Sequence, residues 1–406
     1  MRPPGHLALP DPGFRAPGSP GLGLRGPVRR RVPVPVRRRA PVPVPEARAR
    51  RPLPGRRARD LAPPPEAYAS RVSDNSQFSF GAATGVGSMP GEDAREAVKT
   101  VTGTFEDFPF LPELPARGPG ADMIGRTAGM LVELYARVEP SGWRIGDRPG
   151  RDTRRARSWL REDLDALEEF TQDYEGPLKV QAVGPWTLAA QLELKNGEAA
   201  LSDPGACRDL AASLTEGLRL HLAEVGRRVP GARVVLQLDE PSLTAVLRGR
   251  VATASGYRTH RAVDRQIVES TLREVMAAHD GGPVVVHSCA PDVPFALLRR
   301  AGAAGVSFDF SLLTERDDEA IGEAVEGGTR LLAGVVGGTD GPLSDPAGSV
   351  MGVRTLWRRL GLHPGLLARA VTLTPACGLA GASPAYARQA LAHCVRAARS
   401  LADNPE

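Results

Sequence analysis

The chain has 406 residues, 24% of them charged, a net charge of +5 and only 4 cysteines. The length suits one large domain or two modest ones. So few cysteines exclude a disulfide framework and point to a reducing, cytoplasmic compartment, where a thiol pair serves a metal or a reaction. No stretch reaches the roughly 18 apolar residues that a membrane-spanning helix needs. The first element in chain order is a tail. Residues 1–75 hold 16 Arg, no Lys, 5 acids and 17 of the 38 prolines, a charge of +11 that leaves residues 76–406 at −6. Such a segment lacks the apolar groups to form a core and reads as a disordered basic extension, part polyproline II. It is read in three ways: as a passive extension or translated upstream sequence, as a tether to nucleic acid or an anionic surface, or as a proline-motif docking segment.

From residue 76 onward, short apolar runs alternate with helical periods. Strands are expected at 82–88 and at 108–111, the second weakened by Pro109. A helix follows at 157–170, where Trp159, Leu160, Leu164, Leu167 and Phe170 share one stripe. Then come a strand at 178–184, a helix at 206–222, a strand at 233–239 and a helix at 263–276. Next are a strand at 283–288, a helix at 293–300, a strand at 305–309 and a helix at 318–325. Strands at 330–336 and 370–375 and a helix at 386–398 close the series. Eight strands alternating with helices predict an α/β fold, a (β/α)8 TIM barrel over 76–406, with a doubly wound sheet as the alternative.

Active groups of such a barrel gather at the C-terminal ends of its strands. The expected ends carry Ser88, Gly184-Pro185, Asp239-Glu240, His287 with Cys289, Asp309 and Cys377. His287 and Cys289 are two apart, so in a strand both face one side. Together with Cys377 and Asp309 they form a candidate tetrahedral zinc site, provided the Cys377 sulfur lies within about 8 Å of the pair. Asp239 and Glu240 are adjacent, so at most one faces the mouth unless the chain turns at Pro241. Cys207 and Cys394 fall within helical patterns and read as core thiols, and His393 beside Cys394 is a weak ligand candidate.

Four segments carry a resemblance: T-G-V-G-S-M-P at 84–90, L-Q-L-D-E-P-S-L at 236–243, H-S-C at 287–289 and P-A-C-G-L at 375–379. In order and spacing they resemble the C-terminal catalytic barrel of cobalamin-independent methionine synthases and its short stand-alone homologues. The resemblance implies a methyltransferase in which His287, Cys289, Cys377 and an acid hold Zn²⁺. Homocysteine would bind that zinc as a thiolate and take a methyl group from methyltetrahydrofolate or a methylated corrinoid protein. It further implies that Val86, Gly87 and Ser88 bind the amino acid carboxylate and that Asp239 pairs with the ammonium.

The chain also departs from the family's pattern. Asp309 stands where the family has a glutamate ligand, and Gly125 aligns with a second ammonium-binding acid, for which Asp122 or Glu113 is a substitute. Thr339 and Asp340 replace a histidine suited to protonate a departing pterin nitrogen, and Trp186 is the one candidate for pterin stacking. A donor whose leaving group needs no proton is favoured by these changes. Two other readings remain: alkyl transfer to a different thiol, as on the uroporphyrinogen-decarboxylase-like branch, and a non-catalytic zinc-binding barrel tethered by its tail.

Overall fold

The alternation of apolar runs and helices builds a curled, wholly parallel sheet, seen in a computed structural model that describes residues 80–405. The basic extension, residues 1–75, lies outside the described residues. Six strands pair in the order β3 (Gly176–Val183), β5 (Ala232–Asp239), β6 (Val284–Ser288), β7 (Gly305–Asp309), β8 (Arg330–Val336) and β9 (Val371–Pro375). Each lies beside its successor in the chain, as helical crossovers between parallel strands require. The crossovers include α5 (Pro204–Arg228), α7 (Arg265–Met276), α9 (Asp318–Glu326) and α10 (Pro346–Arg359), while α3 (Arg151–Phe170) precedes the first of these strands and α12 (Pro384–Asp403) follows the last.

Two expected strands are not regular ladders. The segment at 82–88 touches β9 through a single parallel bridge, Ala83 to Leu373, and the segment at 108–113 touches β3 through Phe110 and Lys179. The two bridge each other at Ser88 and Glu113. Composition explains the irregularity. Pro109 and Pro112 have no N–H to give a ladder, and Gly85 lets the backbone close on the Phe110 ring, where a Cβ would come within 2.2 Å. Six regular strands therefore replace the expected eight.

Other elements were not expected. An antiparallel hairpin of β1 (Tyr135–Glu139) and β2 (Gly142–Gly146) extends through a short parallel pairing with β4 (Leu192–Glu193). Gly142, at φ +145°, makes its turn. The helices α1 (Ala94–Thr104) and α2 (Met123–Met130) begin at Asp93 and Asp122, whose carboxylates accept the first free amide N–H groups.

The inward face of the sheet changes chemistry along its strands. Val235, Val285 and Leu332 pack with Phe80 and Phe108 in an apolar floor. Two residues further along, Gln237 follows Val235 and His287 follows Val285. Asp239 and Cys289 come two residues after those, as the period of a strand dictates. Register places Gln181 beside Gln237 and Val183 beside Asp239.

Glu240 takes the opposite side, as its adjacency to Asp239 requires. Fully buried, it accepts hydrogen bonds from the Trp186 amide (2.9 Å), the Thr187 amide (2.8 Å) and the Thr187 hydroxyl (2.8 Å). It thereby caps α4 (Pro185–Gln191). Burial pushes its carboxyl up to about 7, while the three donors favour the charged form and oppose that rise. Glu240→Gln turns one acceptor into a donor against these groups. It is expected to cost about 1–3 kcal/mol, read as a lower urea midpoint at unchanged slope.

Candidate metal centre and adjoining cavity

Strand β6 ends by delivering His287, and the turn after it delivers Cys289. Cys377 comes two residues beyond β9, in a turn fixed by the Ala376 amide on the Val336 carbonyl at 2.7 Å and the Leu379 amide on the Ser88 carbonyl at 2.7 Å. The three meet. The two sulfurs share a hydrogen bond at 3.1 Å, and the ligand atoms of His287, Cys289 and Cys377 all lie within 4.8 Å of one another. Cys377 is pushed down to about 4 by its hydrogen bond with Cys289 and the nearby charge of the His287 ring, and Cys289 is pushed up by the same sulfur contact. One sulfur thus carries charge at the expense of the other.

The imidazole is held from behind. His287 Nδ1 lies 2.9 Å from the Ser307 hydroxyl on β7, while its buried Nε2 has no partner among the described residues. A buried ring nitrogen without a partner is costly unless something electrophilic sits opposite it. One imidazole nitrogen and two sulfurs that can ionise form a donor set suited to a borderline-soft cation such as zinc, with a fourth position open. The residues therefore fit a metal.

Beside this group lies a cavity of about 200 Å³ lined by Val86, Gly87, Ser88, Glu113, Asp122, Asp239, His287, Cys289 and Cys377, among others. The residues expected to bind substrate thus share one space with three of the four expected to hold metal, Asp309 being the exception. Gly378 permits this closeness, because a Cβ there would fall 2.0 Å from the Ser88 hydroxyl. Asp239 accepts from Gln237 Nε2 at 2.7 Å, and burial pushes it up to about 6. Glu113, also buried, is raised to about 7 by burial, against the pull of Arg126, whose Nε is 3.8 Å away. Arg126 and Arg117 both pair with buried Asp163, which fixes this wall.

Asp309 stands apart from the three converging ligands. Its carboxylate accepts from the Ser311 amide (2.9 Å) and hydroxyl (2.7 Å), capping the turn after β7. It lines a second, wider cavity of about 590 Å³ with Gly334 to Thr339, Ser349 and Cys377. Cys377 and Gly378 form the wall that both cavities share. Asp340 is tied to the Ser383 amide at 2.6 Å and hydroxyl at 2.5 Å, at the start of α12.

One sequence-based expectation changes. Trp186 is core: it is buried, and its indole N–H donates to the Val268 carbonyl in α7 at 3.3 Å, so it offers no stacking face to a ligand. Gly125 packs against Trp143, where a Cβ would come within 2.3 Å of the ring, so no acid fits there. Both residues expected to substitute for it, Glu113 and Asp122, line the cavity. Of the other cysteines, Cys207 donates to the Ala200 carbonyl at 3.5 Å and Cys394 is fully buried, while His393 lies 2.8 Å from the Ser349 hydroxyl. None of these three belongs to the metal-capable group. Lys179, Gln181 and Gln237 were missed, though L-K-V-Q and L-Q-L-D show polar residues at alternate positions of apolar strands, a sign of a polar interior.

A curled parallel α/β sheet with a histidine and two cysteines converging beside an acid-lined cavity defines an enzyme-like scaffold for thiol or metal chemistry. Comparison with known proteins narrows it. The chain belongs to the family described as the catalytic domain of cobalamin-independent synthases, whose model matches residues 80–400. Its fold is similar to that of a B12-independent methionine synthase from Shewanella sp. W3-18-1, solved in complex with selenomethionine. Identity is 11% and the TM-score 0.54, over 79% of this chain and 98% of that one. A β-mannanase from the blue mussel Mytilus edulis is similar at TM-score 0.37 and 9% identity, over 78% of this chain and 91% of that one. Comparison with curated proteins returned no match. No described helix is long and apolar enough to cross a membrane.

Proposed function

We propose that this protein is a zinc-dependent S-methyltransferase that converts homocysteine to methionine, on a (β/α)8 barrel whose first two staves are the irregular segments at 82–88 and 108–113. The methyltransferase type follows from the family. The observation that carries the finer reading is the single cavity joining His287, Cys289 and Cys377 to Ser88, Glu113 and Asp239. A thiol at one end and an amino acid head group at the other match homocysteine, and the selenomethionine held by the Shewanella enzyme is an analogue of the product.

His287, Cys289 and Cys377 would hold the cation. Asp309 is the candidate for a fourth ligand, in a role that requires it to release Ser311. Bound Zn²⁺ would strip the proton from an incoming thiol, whose ordinary pKa is near 8.5, and two anionic sulfurs beside it would keep that thiol electron-rich. Ser307 fixes the His287 ring so that Nε2 faces the ligands. Glu113 and Asp239 receive the substrate ammonium, and the Gly87 and Ser88 segment receives its carboxylate. The reacting sulfur is thus oriented by contacts at the far end of the molecule. It attacks the methyl carbon of the donor, and the bond to the carrier breaks with its electron pair.

Thr339 stands where a proton donor is needed for a departing pterin, which favours a methylated corrinoid protein over methyltetrahydrofolate. The test is a turnover assay on zinc-loaded protein with homocysteine and each donor in turn. Methionine formed from methylcobalamin, faster than from methyltetrahydrofolate, is the expected result. Homocysteine left unmethylated by both, with another thiol methylated, moves the activity to a different acceptor.

A further inference from the structure

Lys179 is out of place by its type. It sits in β3 with no solvent exposure, its Nζ donating to the Val86 carbonyl at 2.7 Å and lying 5.2 Å from the centre of the Phe110 ring. Gln237 Nε2 donates to the same carbonyl at 2.9 Å. Burial pulls the Lys179 ammonium down to about 7, against the pull of Asp239 and Glu113. The chemistry described so far uses neither Lys179 nor the Gln237 contact with Val86.

We propose that Lys179 and Gln237 are positioning residues that build the carboxylate site for the acceptor, by gripping the Val86 carbonyl and so turning the Gly87 amide N–H into the cavity. The inference rests on homocysteine being the acceptor.

The geometry is that of one peptide plane. The described chain has no cis peptide bond, so the Val86 carbonyl and the Gly87 N–H point in opposite directions. Two donors from the sheet interior pull the carbonyl inward, and the N–H is directed away from them, at a residue that lines the cavity. Among the described residues, neither the Gly87 nor the Ser88 amide donates to a protein acceptor. Their neighbours are satisfied: the Gly87 carbonyl accepts from the Glu113 amide at 3.1 Å, and the Met89 amide donates to the Glu113 carbonyl at 2.8 Å. Two successive free N–H groups beside a cavity make an anion site. Gln181 packs against the Gly87 α-carbon, where a Cβ would come 3.0 Å from its Nε2, and so limits how far the segment can sink. When protonated, Lys179 behind the peptide adds positive potential toward an anion in front of it.

The experiment compares two acceptors on zinc-loaded protein by calorimetry: homocysteine, and 3-aminopropane-1-thiol, which is homocysteine without its carboxylate. Lys179→Met is expected to weaken homocysteine about tenfold or more, and Gln237→Leu about threefold, the range for losing one charged or neutral hydrogen-bonding group. Both variants should weaken the aminothiol clearly less than homocysteine, because that ligand has nothing for the oriented amides to hold and feels only the change at Asp239, to which Gln237 also donates. Gln237→Leu changes no charge and carries the test if Lys179→Met does not fold. Equal weakening of both ligands, or no weakening, overturns the proposal, and so does loss of zinc by both variants. If wild-type protein binds neither ligand, the homocysteine reading fails first and takes this inference with it.

Discussion

Cys377→Ser will leave the protein without its metal. Wild-type protein is expected to carry about one zinc per chain after dialysis, and the variant none, read by elemental analysis. The reason is the small size of the donor set. Three side chains converge within 4.8 Å, and Cys377 is the one drawn most strongly toward the charged form. A serine hydroxyl stays protonated at neutral pH and reaches less far than sulfur. Loss of an outer-sphere partner alone costs about 10–100-fold in metal affinity, and loss of a ligand costs more. Turnover should fall with the zinc. Ser307→Ala is the milder control, since it frees the His287 ring without removing a ligand, and belongs within that 10–100-fold range. Full zinc content in Cys377→Ser would remove the centre from the account.

Glu113→Gln will weaken homocysteine by about 10–100-fold, the cost of one charged hydrogen-bonding partner, with zinc content unchanged. Binding an ammonium requires the charged carboxylates. Burial raises Glu113 to about 7 and Asp239 to about 6, so affinity should fall as pH drops through that range. The upper step should vanish in Glu113→Gln. The same shifts act on stability with opposite sign. Each folded value lies above the ordinary 4.5 or 3.8. The contribution of each group to stability is therefore fully present below those ordinary values and is lost as pH rises through 6 and 7. The buried acids strain the fold most when both are charged, and homocysteine bound as proposed would relieve that strain. Its effect on melting temperature should be larger at pH 8 than at pH 6; an equal effect at both would count against the paired acids.

Much of this site could be read before any coordinates. The two-residue spacing of His287 and Cys289 needs only the period of a strand, and the placing of Cys377 needs only that parallel strands end on one side. The opposed faces of Asp239 and Glu240 follow from adjacency. Glu113 was harder to place. It lies on a proline-broken segment with no periodicity, so the sequence could name it only beside Asp122 as a substitute for the acid missing at Gly125, a position that Trp143 closes. Asp309 was read as a ligand from its strand end, and the turn two residues later that engages its carboxylate has no periodicity to announce it. The hairpin at 135–146 escaped notice because its residues alternate only weakly, with few large apolar groups between Tyr135 and Trp143. The buried Lys179 contradicts residue preference, and only its contacts give it a reason.

The two sulfurs of the metal-capable group are separated by 88 residues of chain, and the second follows the last described strand. During synthesis, a polypeptide that has emerged only through Cys289 offers a cation one imidazole and one thiol, too few to retain it. Capture must wait until β9 has docked, so zinc would enter late and reward only chains whose sheet has been completed. Metal content would then report correct folding as well as readiness for chemistry.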